Sequence, residues 1–290
     1  MDDLLRRVGG LLADVIGDAA CLPPTMLYNE GWLLRLTLDA AAGLIAAGDG
    51  LALPLSFGPG DRWYSEPLLA SAFLPQFRGD PLAEDFTRAD AVIGRFDFRG
   101  DVRAELSLAE GAAEFVVLEA KVGSRLSSGT RNAPGYHQAA RIVACMAETL
   151  ARAGRDPAGF DVLAFHVLAP EGRIDAGVFD RKMTAGSIEE RVGRRVEAYG
   201  GARRTELDRW MDEWLRPLLA VLDIRCIGWE SIIGAVSEHD AALGRDLDVF
   251  YNRCLHYNGL TAGTRPSRPV LRAQCPAFEA RPAWAARSHR

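Results

Sequence analysis

Phe115–Val116–Val117–Leu118–Glu119–Ala120–Lys121, followed by Val122–Gly123–Ser124, is the stretch on which the reading of this chain turns. A short apolar run, rich in β-branched and aromatic residues and closed by glycine, reads as a buried strand. Side chains alternate faces along a strand, so Glu119 and Lys121 leave it on the same side. An acid and an amine therefore meet at the C-terminal end of a hydrophobic strand. Charge there is costly unless it is paired or holds a metal. Taken alone, Glu-x-Lys is a salt-bridged strand end. Composition adds weight to the lysine: of 34 Lys plus Arg, only Lys121 and Lys182 are lysine. Lysine and arginine are not interchangeable where a compact ammonium is needed.

Two further strand-like runs precede this one, Ala89–Phe98 and Ala104–Leu108, joined through Arg99-Gly100-Asp101 and Ala109-Glu110-Gly111. Short glycine-containing links of this kind predict an antiparallel three-stranded meander. Asp90 stands at its entrance, where the plain reading is a turn residue before a strand. Upstream, Thr25–Ala47 has helical periodicity, with Leu27, Leu34, Leu38, Ala41 and Ile45 near one face. Glu30 falls on that same apolar face, either as a first-turn acid favoured by the helix dipole or as a carboxylate aimed into a polar site. Residues 48–85 are rich in Gly and Pro and read as irregular structure with one short element near Pro67–Phe73.

Downstream, residues 123–132 form a polar loop carrying Arg125 and Arg131. Pro134 then opens a helix to about Ala153, with Gln138 and Arg141 three apart on its polar edge. Phe160–Leu168 reads as a central strand, and His166 within it as a satisfied core histidine. From Ile188 onward the pattern is helical, over 188–199, 205–222 and about 229–256. Trp210 and Trp214, four apart, read as packing aromatics. The expected organisation is an α/β core over 1–170, a helical extension over 171–260 packed on it, and a basic Pro/Arg-rich, poorly ordered tail over 261–290.

With 48% hydrophobic and 25% charged residues, the chain is of ordinary globular composition. No apolar run is long enough to span a bilayer, and the start lacks a secretory signal's layout, so a cytoplasmic location without membrane contact is expected. Five widely spaced cysteines without a C-x-x-C pair argue against structural zinc or a disulfide framework. The net charge of −5 is unevenly spread. Residues 121–155 hold six basic groups and one acid, as does the tail, whereas residues 1–120 are strongly acidic. A polyanion could approach at the basic regions.

Helix, three-stranded meander, helix, strand, with Glu30 on the first helix, Asp90 before the first meander strand and Glu119-Ala120-Lys121 ending the third, resembles the PD-(D/E)xK nuclease superfamily. The match covers roughly residues 25–170, with Ala89 in place of the proline and without the Q-x-x-x-Y of the exonuclease branch. The resemblance implies a restriction-endonuclease-like core with a mixed central sheet and a Mg²⁺-dependent nuclease, Mn²⁺ substituting. Asp90, Glu119 and Glu30 would be metal ligands, Lys121 and Gln138 further members of the catalytic set, and Arg125, Arg131 and Arg141 contacts to nucleic-acid phosphates. DNA is the expected partner, and RNA and a homodimer are left open. Two rivals carry different chemistry: a non-catalytic nuclease-fold module that binds nucleic acid or protein, and a hydrolase of neutral substrates using Glu30 and Glu119 as an acid/base pair.

Overall fold

The computed structural model describes residues 2–16, 21–48, 52–84, 87–99, 105–130 and 132–260. Arg131, the 100–104 link and the 261–290 tail lie outside the described residues. The strand expected from the Phe115 run is β7 (Glu114–Ala120), and all seven of its residues are buried. It is the middle of a five-stranded mixed sheet. β4 (Ala91–Gly94) pairs with it antiparallel on one side, and β1 (Arg62–Ser65) pairs antiparallel with β4 at the edge. On the other side β8 (Val162–Ala169) and then β9 (Asp223–Gly228) run parallel to it.

Parallel neighbours need a crossover, and α3 (Gln138–Ala153) supplies the one from β7 to β8. Its stripe of Ile142, Val143, Met146 and Leu150 is fully buried. Each such side chain contributes about 1.5–3 kcal/mol in removing apolar surface from water. Phe115 and Val117 face α3, whereas Val116, Leu118 and Ala120 face a second core. That core is built by α2 (Glu30–Ala47), α8 (Trp229–His239) and α9 (Ala241–Tyr257). Glu119 has the parity of Phe115 and Val117, which directs it to the α3 side. α1 (Asp2–Ala13) precedes this framework. No described helix is long and apolar enough to cross a membrane.

Three expectations are corrected. The run 89–98 is not one strand of a meander. It divides at Gly94–Arg95 into β4 and β5 (Phe96–Arg99), and β5 pairs with β6 (Glu105–Leu108) in a separate four-stranded sheet. The remaining members of that sheet are β2 (Leu68–Leu69) and β3 (Thr87–Arg88). Gly94 has φ +144°, and a Cβ there would sit 2.4 Å from the Glu114 carbonyl oxygen, so only glycine allows the chain to leave one sheet for the other.

The segment expected to be a helical extension, 171–260, carries the edge strand β9 in the gap between the helices expected over 205–222 and 229–256, and it contributes to both cores. Its six residues sit between helices, too short to announce themselves by periodicity, and pair with β8 through long-range contacts. α4 (Glu171–Asp175), α5 (Ala185–Glu197), α6 (Gly201–Trp210) and α7 (Arg216–Val221) make the crossover from β8 to β9. A π-helical turn, Met211–Leu215, links α6 to α7 just before Pro217, whose missing N–H cannot extend the regular ladder. Trp210 is buried there and Trp214 packs against the same core, as expected of packing aromatics.

The helices also begin later than their patterns suggest. α2 starts at Glu30, not Thr25, because the Asn29 side chain accepts from the Trp32 N–H at 3.0 Å and caps it. α3 starts at Gln138, four residues past Pro134, because His137 Nδ1 caps it by accepting the Ala140 N–H at 3.1 Å.

Candidate functional site

β4 and β7 bring the acids together. Their antiparallel register pairs Ala91 with Leu118, so Asp90 stands opposite Glu119 at the sheet's end. Asp90 Oδ2 accepts the Ala120 N–H at 2.8 Å, tying its carboxylate across the two strands. Its own carbonyl accepts the Glu66 N–H at 3.0 Å. Glu66 has φ +57°, alone among the described non-glycine residues in being positive, and its side chain is held by Arg35 of α2 at 2.6 Å. The turn after β1 is therefore braced against α2 and presses on the Asp90 backbone. Sequence reading missed this brace, because only the strained φ and a contact 31 residues distant reveal it.

Glu119 is 1% exposed. Its Oε1 accepts from Lys121 Nζ and from Gln138 Nε2, the latter at 2.5 Å. Its Oε2 is buried and receives no N–H or hydroxyl donor among the described residues, and the Asp90 carboxylate lies within hydrogen-bonding reach of the Glu119 carboxyl. Burial first, and then the neighbouring Asp90 carboxylate, push the Glu119 carboxyl up to about 8, against the opposing pull of Lys121. Lys121 is buried too, with its backbone fixed on both sides. Its N–H donates to the Leu168 carbonyl at 2.8 Å, and its carbonyl accepts the Trp229 indole N–H at 3.0 Å. Gln138, first residue of α3, is oriented by Ser127. Its Oε1 accepts the Ser127 N–H at 3.2 Å and its own N–H donates to the Ser127 carbonyl at 3.1 Å, which leaves Nε2 facing Glu119. Asp90, Glu119, Lys121 and Gln138 thus form one cluster.

The other candidates are placed elsewhere. Glu30 lies in the first turn of α2 near Cys254, whose thiol burial and then Glu30 push up to about 12. No group of three or more His, Cys, Asp or Glu that could hold a metal ion is found among the described residues. Arg141 is turned to Glu84, with Nε 3.8 Å from Oε1, in a largely buried pair. Arg125 is exposed.

A basic surface missed by sequence reading surrounds Arg125. Arg173 donates to the Ser124 carbonyl at 3.0 Å, and Lys182, the second of the two lysines, donates to the Leu126 carbonyl at 2.6 Å. Burial, then Arg125 and Arg181, hold the Lys182 amine below its ordinary range. The rarity of lysine was the signal available for Lys182, and nothing in the local pattern tied residues 173–182 to the 123–130 loop.

A serine–histidine pair is also present, with His137 Nε2 3.2 Å from Ser187 Oγ. It is a poor nucleophilic dyad. His137 Nδ1 is already an acceptor for the helix cap, so the neutral ring carries its proton on Nε2 and donates to the serine rather than taking its proton. Burial, then Lys182 and Arg191, lower its pKa to about 4. The pair is a cap joining α3 to α5.

The buried acids set a pH dependence of stability. Burial pushes Glu84 up to about 7, opposed by Arg141 and Arg195. Its ordinary value is 4.5, so between 4.5 and about 7 the folded chain binds more protons than the unfolded one, and stability falls as pH rises through that window. Glu119 acts in the same direction up to about 8. His137 acts oppositely, its contribution falling as pH drops from 6.5 toward about 4. Above pH 6.5 the acids dominate, and urea midpoints should fall from about pH 6.5 to 8. Each group contributes at most about 1.4 kcal/mol per pH unit. Glu84→Gln should flatten part of that slope. An unchanged slope would show that Glu84 is not a buried acid.

Compared with known proteins, the chain matches no family model, no curated protein and no solved structure.

Proposed function

We propose that this chain is a metal-dependent phosphodiesterase acting on nucleic acid, with DNA as substrate, built on a restriction-endonuclease-like core. One observation carries the reading. Two opposed carboxyls, a buried lysine and a glutamine converge at the end of the central strand, and Glu119 Oε2 there is buried and meets no donor but the proton it can share with Asp90. A native chain leaves few buried acceptors unmet, and such groups mark sites of binding or chemistry.

The residues fit a hard divalent cation. Mg²⁺ is commonly held by one or two carboxylates while keeping waters and taking substrate phosphate oxygens, and Asp90 with Glu119 Oε2 would supply that pair. When bound, such a cation offsets charge on a phosphoryl group and acidifies water. The chain's own residues do the remaining work. Lys121 places an ammonium beside the acids, where it can orient water and stabilise charge developing on the phosphoryl oxygens. Gln138 holds Glu119 Oε1 in place, so that Oε2 stays aimed into the site. The basic surface of Arg125, Arg173 and Lys182 would engage backbone phosphates without reading sequence.

A non-catalytic binding module is the second reading, favoured by the absence of a three-carboxylate group among the described residues. Calorimetric titration of Mn²⁺ separates them. Wild type should bind one ion, with affinity rising as pH passes through about 8, where Glu119 gives up its proton. Asp90→Asn with Glu119→Gln should not bind. Equal binding by both proteins would mean the ligands are misassigned.

A further inference from the structure

α5 carries Arg191, Arg194 and Arg195 at i, i+3 and i+4, a spacing that puts all three on one face. Opposite them runs the 132–136 turn that leads into α3, and between the two lies a cavity of about 200 Å³ lined by these arginines and by Tyr136. Charge in this cavity is only partly balanced by the protein, through the buried Glu84, which acts on Arg195 and Tyr136 as well as on Arg141. Arg194 is held by Glu190 at 2.5 Å. Among the described residues neither Arg191 nor Arg195 forms an ion pair, and the nearby Glu84 is paired with Arg141 instead.

The donors are also unspent. Arg195 is 5% exposed and Tyr136 is 3% exposed. The Arg195 guanidinium gives Nη2 to the Leu82 carbonyl and rests over the Phe73 and Tyr199 rings, yet its Nε has no partner. The Tyr136 hydroxyl and Arg191 Nε are buried and unpartnered as well. Packing explains why Arg195 is buried, but not why three residues that line one cavity each keep an unused donor.

We infer that this cavity is a binding site for a phosphate monoester dianion. Three arginines against the single carboxyls of Glu190 and Glu84 leave an excess of positive charge, and the planar forks of Arg191 and Arg195 suit the tetrahedral oxygens of phosphate. The tyrosine hydroxyl donates to a further oxygen. A phosphodiester, with one charge and two substituents, matches less well on both counts. The turn that forms the wall ends two residues before Gln138 in the chain, and the cavity shares no residue with the Asp90–Glu119 cluster. The dianion is either the terminal phosphate of a nucleic-acid strand or a free phosphomonoester.

Titration of the full chain with inorganic phosphate in metal-free buffer tests this independently of any hydrolytic activity. Phosphate should bind wild type and raise its melting temperature. Arg191→Glu, at a half-buried position, should weaken binding by at least about tenfold through loss of a charge-assisted contact. Tyr136→Phe, which keeps the ring against Phe73, should weaken it less. Competition with 5′-phosphorylated and 5′-hydroxyl oligonucleotides then assigns the source. Preference for the phosphorylated strand that vanishes in Arg191→Glu identifies a strand end, and phosphate binding without such preference identifies a free phosphomonoester. No phosphate binding by wild type, or equal binding by folded Arg191→Glu, overturns the inference.

Discussion

Lys121→Ala should cut metal-dependent DNA cleavage by at least about 10²–10³-fold, the size of effect seen when a positioned donor at a developing charge is removed. The ammonium reaches Glu119 Oε1 from the same strand face, and no other described cation bonds to that carboxylate. The variant should remain folded. Once the lysine is gone, the Glu119 carboxyl loses the one charge that lowers its pKa and is held protonated more firmly by burial and by Asp90, so no unpaired charge is left inside. Circular dichroism alongside the cleavage assay separates loss of chemistry from loss of fold. Lys121→Arg should not restore full activity, because the planar guanidinium is larger than the space left at a position only 7% exposed. Wild-type rates in folded Lys121→Ala would remove the lysine from the mechanism.

Trp229→Ala should destabilise the chain by about 3–5 kcal/mol, the range for deleting a large buried aromatic. The side chain is 0% exposed, at the start of α8, in the core beneath the sheet where Val116, Leu118 and Ile233 also pack. Its indole N–H donates to the Lys121 carbonyl, so the substitution opens a void and frees the backbone that aims the lysine. Trp229→Phe keeps much of the volume and loses the hydrogen bond, for which about 1 kcal/mol is expected. Urea midpoints measure both. A cost for Trp229→Ala no greater than that for Trp229→Phe would mean the indole is not a core anchor.

Much of this framework could be read from residues alone where the signal was local. β7 announced itself by composition, and its period-2 alternation placed Glu119 and Lys121 on one side, where they bond to each other. The stripe of α3 is buried as its periodicity implied. Reading failed where a distant contact or a single backbone angle decided the outcome. Gly94 looks like any strand glycine, yet its φ sends β5 into another sheet. β9 is short and lies between helices, and only pairing with β8 makes it a strand. Arg141, on the polar edge of its helix, reads as a phosphate contact, whereas it is turned to Glu84, in a segment whose sequence carries no periodic signal.

The central claim is that Asp90, Glu119 and Lys121 form a metal-dependent phosphodiesterase site, and strand scission tests it most directly. Purified wild-type chain should be incubated with single- and double-stranded DNA in Mg²⁺ or Mn²⁺, with EDTA controls and with Asp90→Asn prepared in parallel. Cleavage by wild type that stops with EDTA and with Asp90→Asn is the result this account predicts. Cleavage that persists in both, or no cleavage of any DNA form by wild type that nonetheless binds the metal, would contradict it.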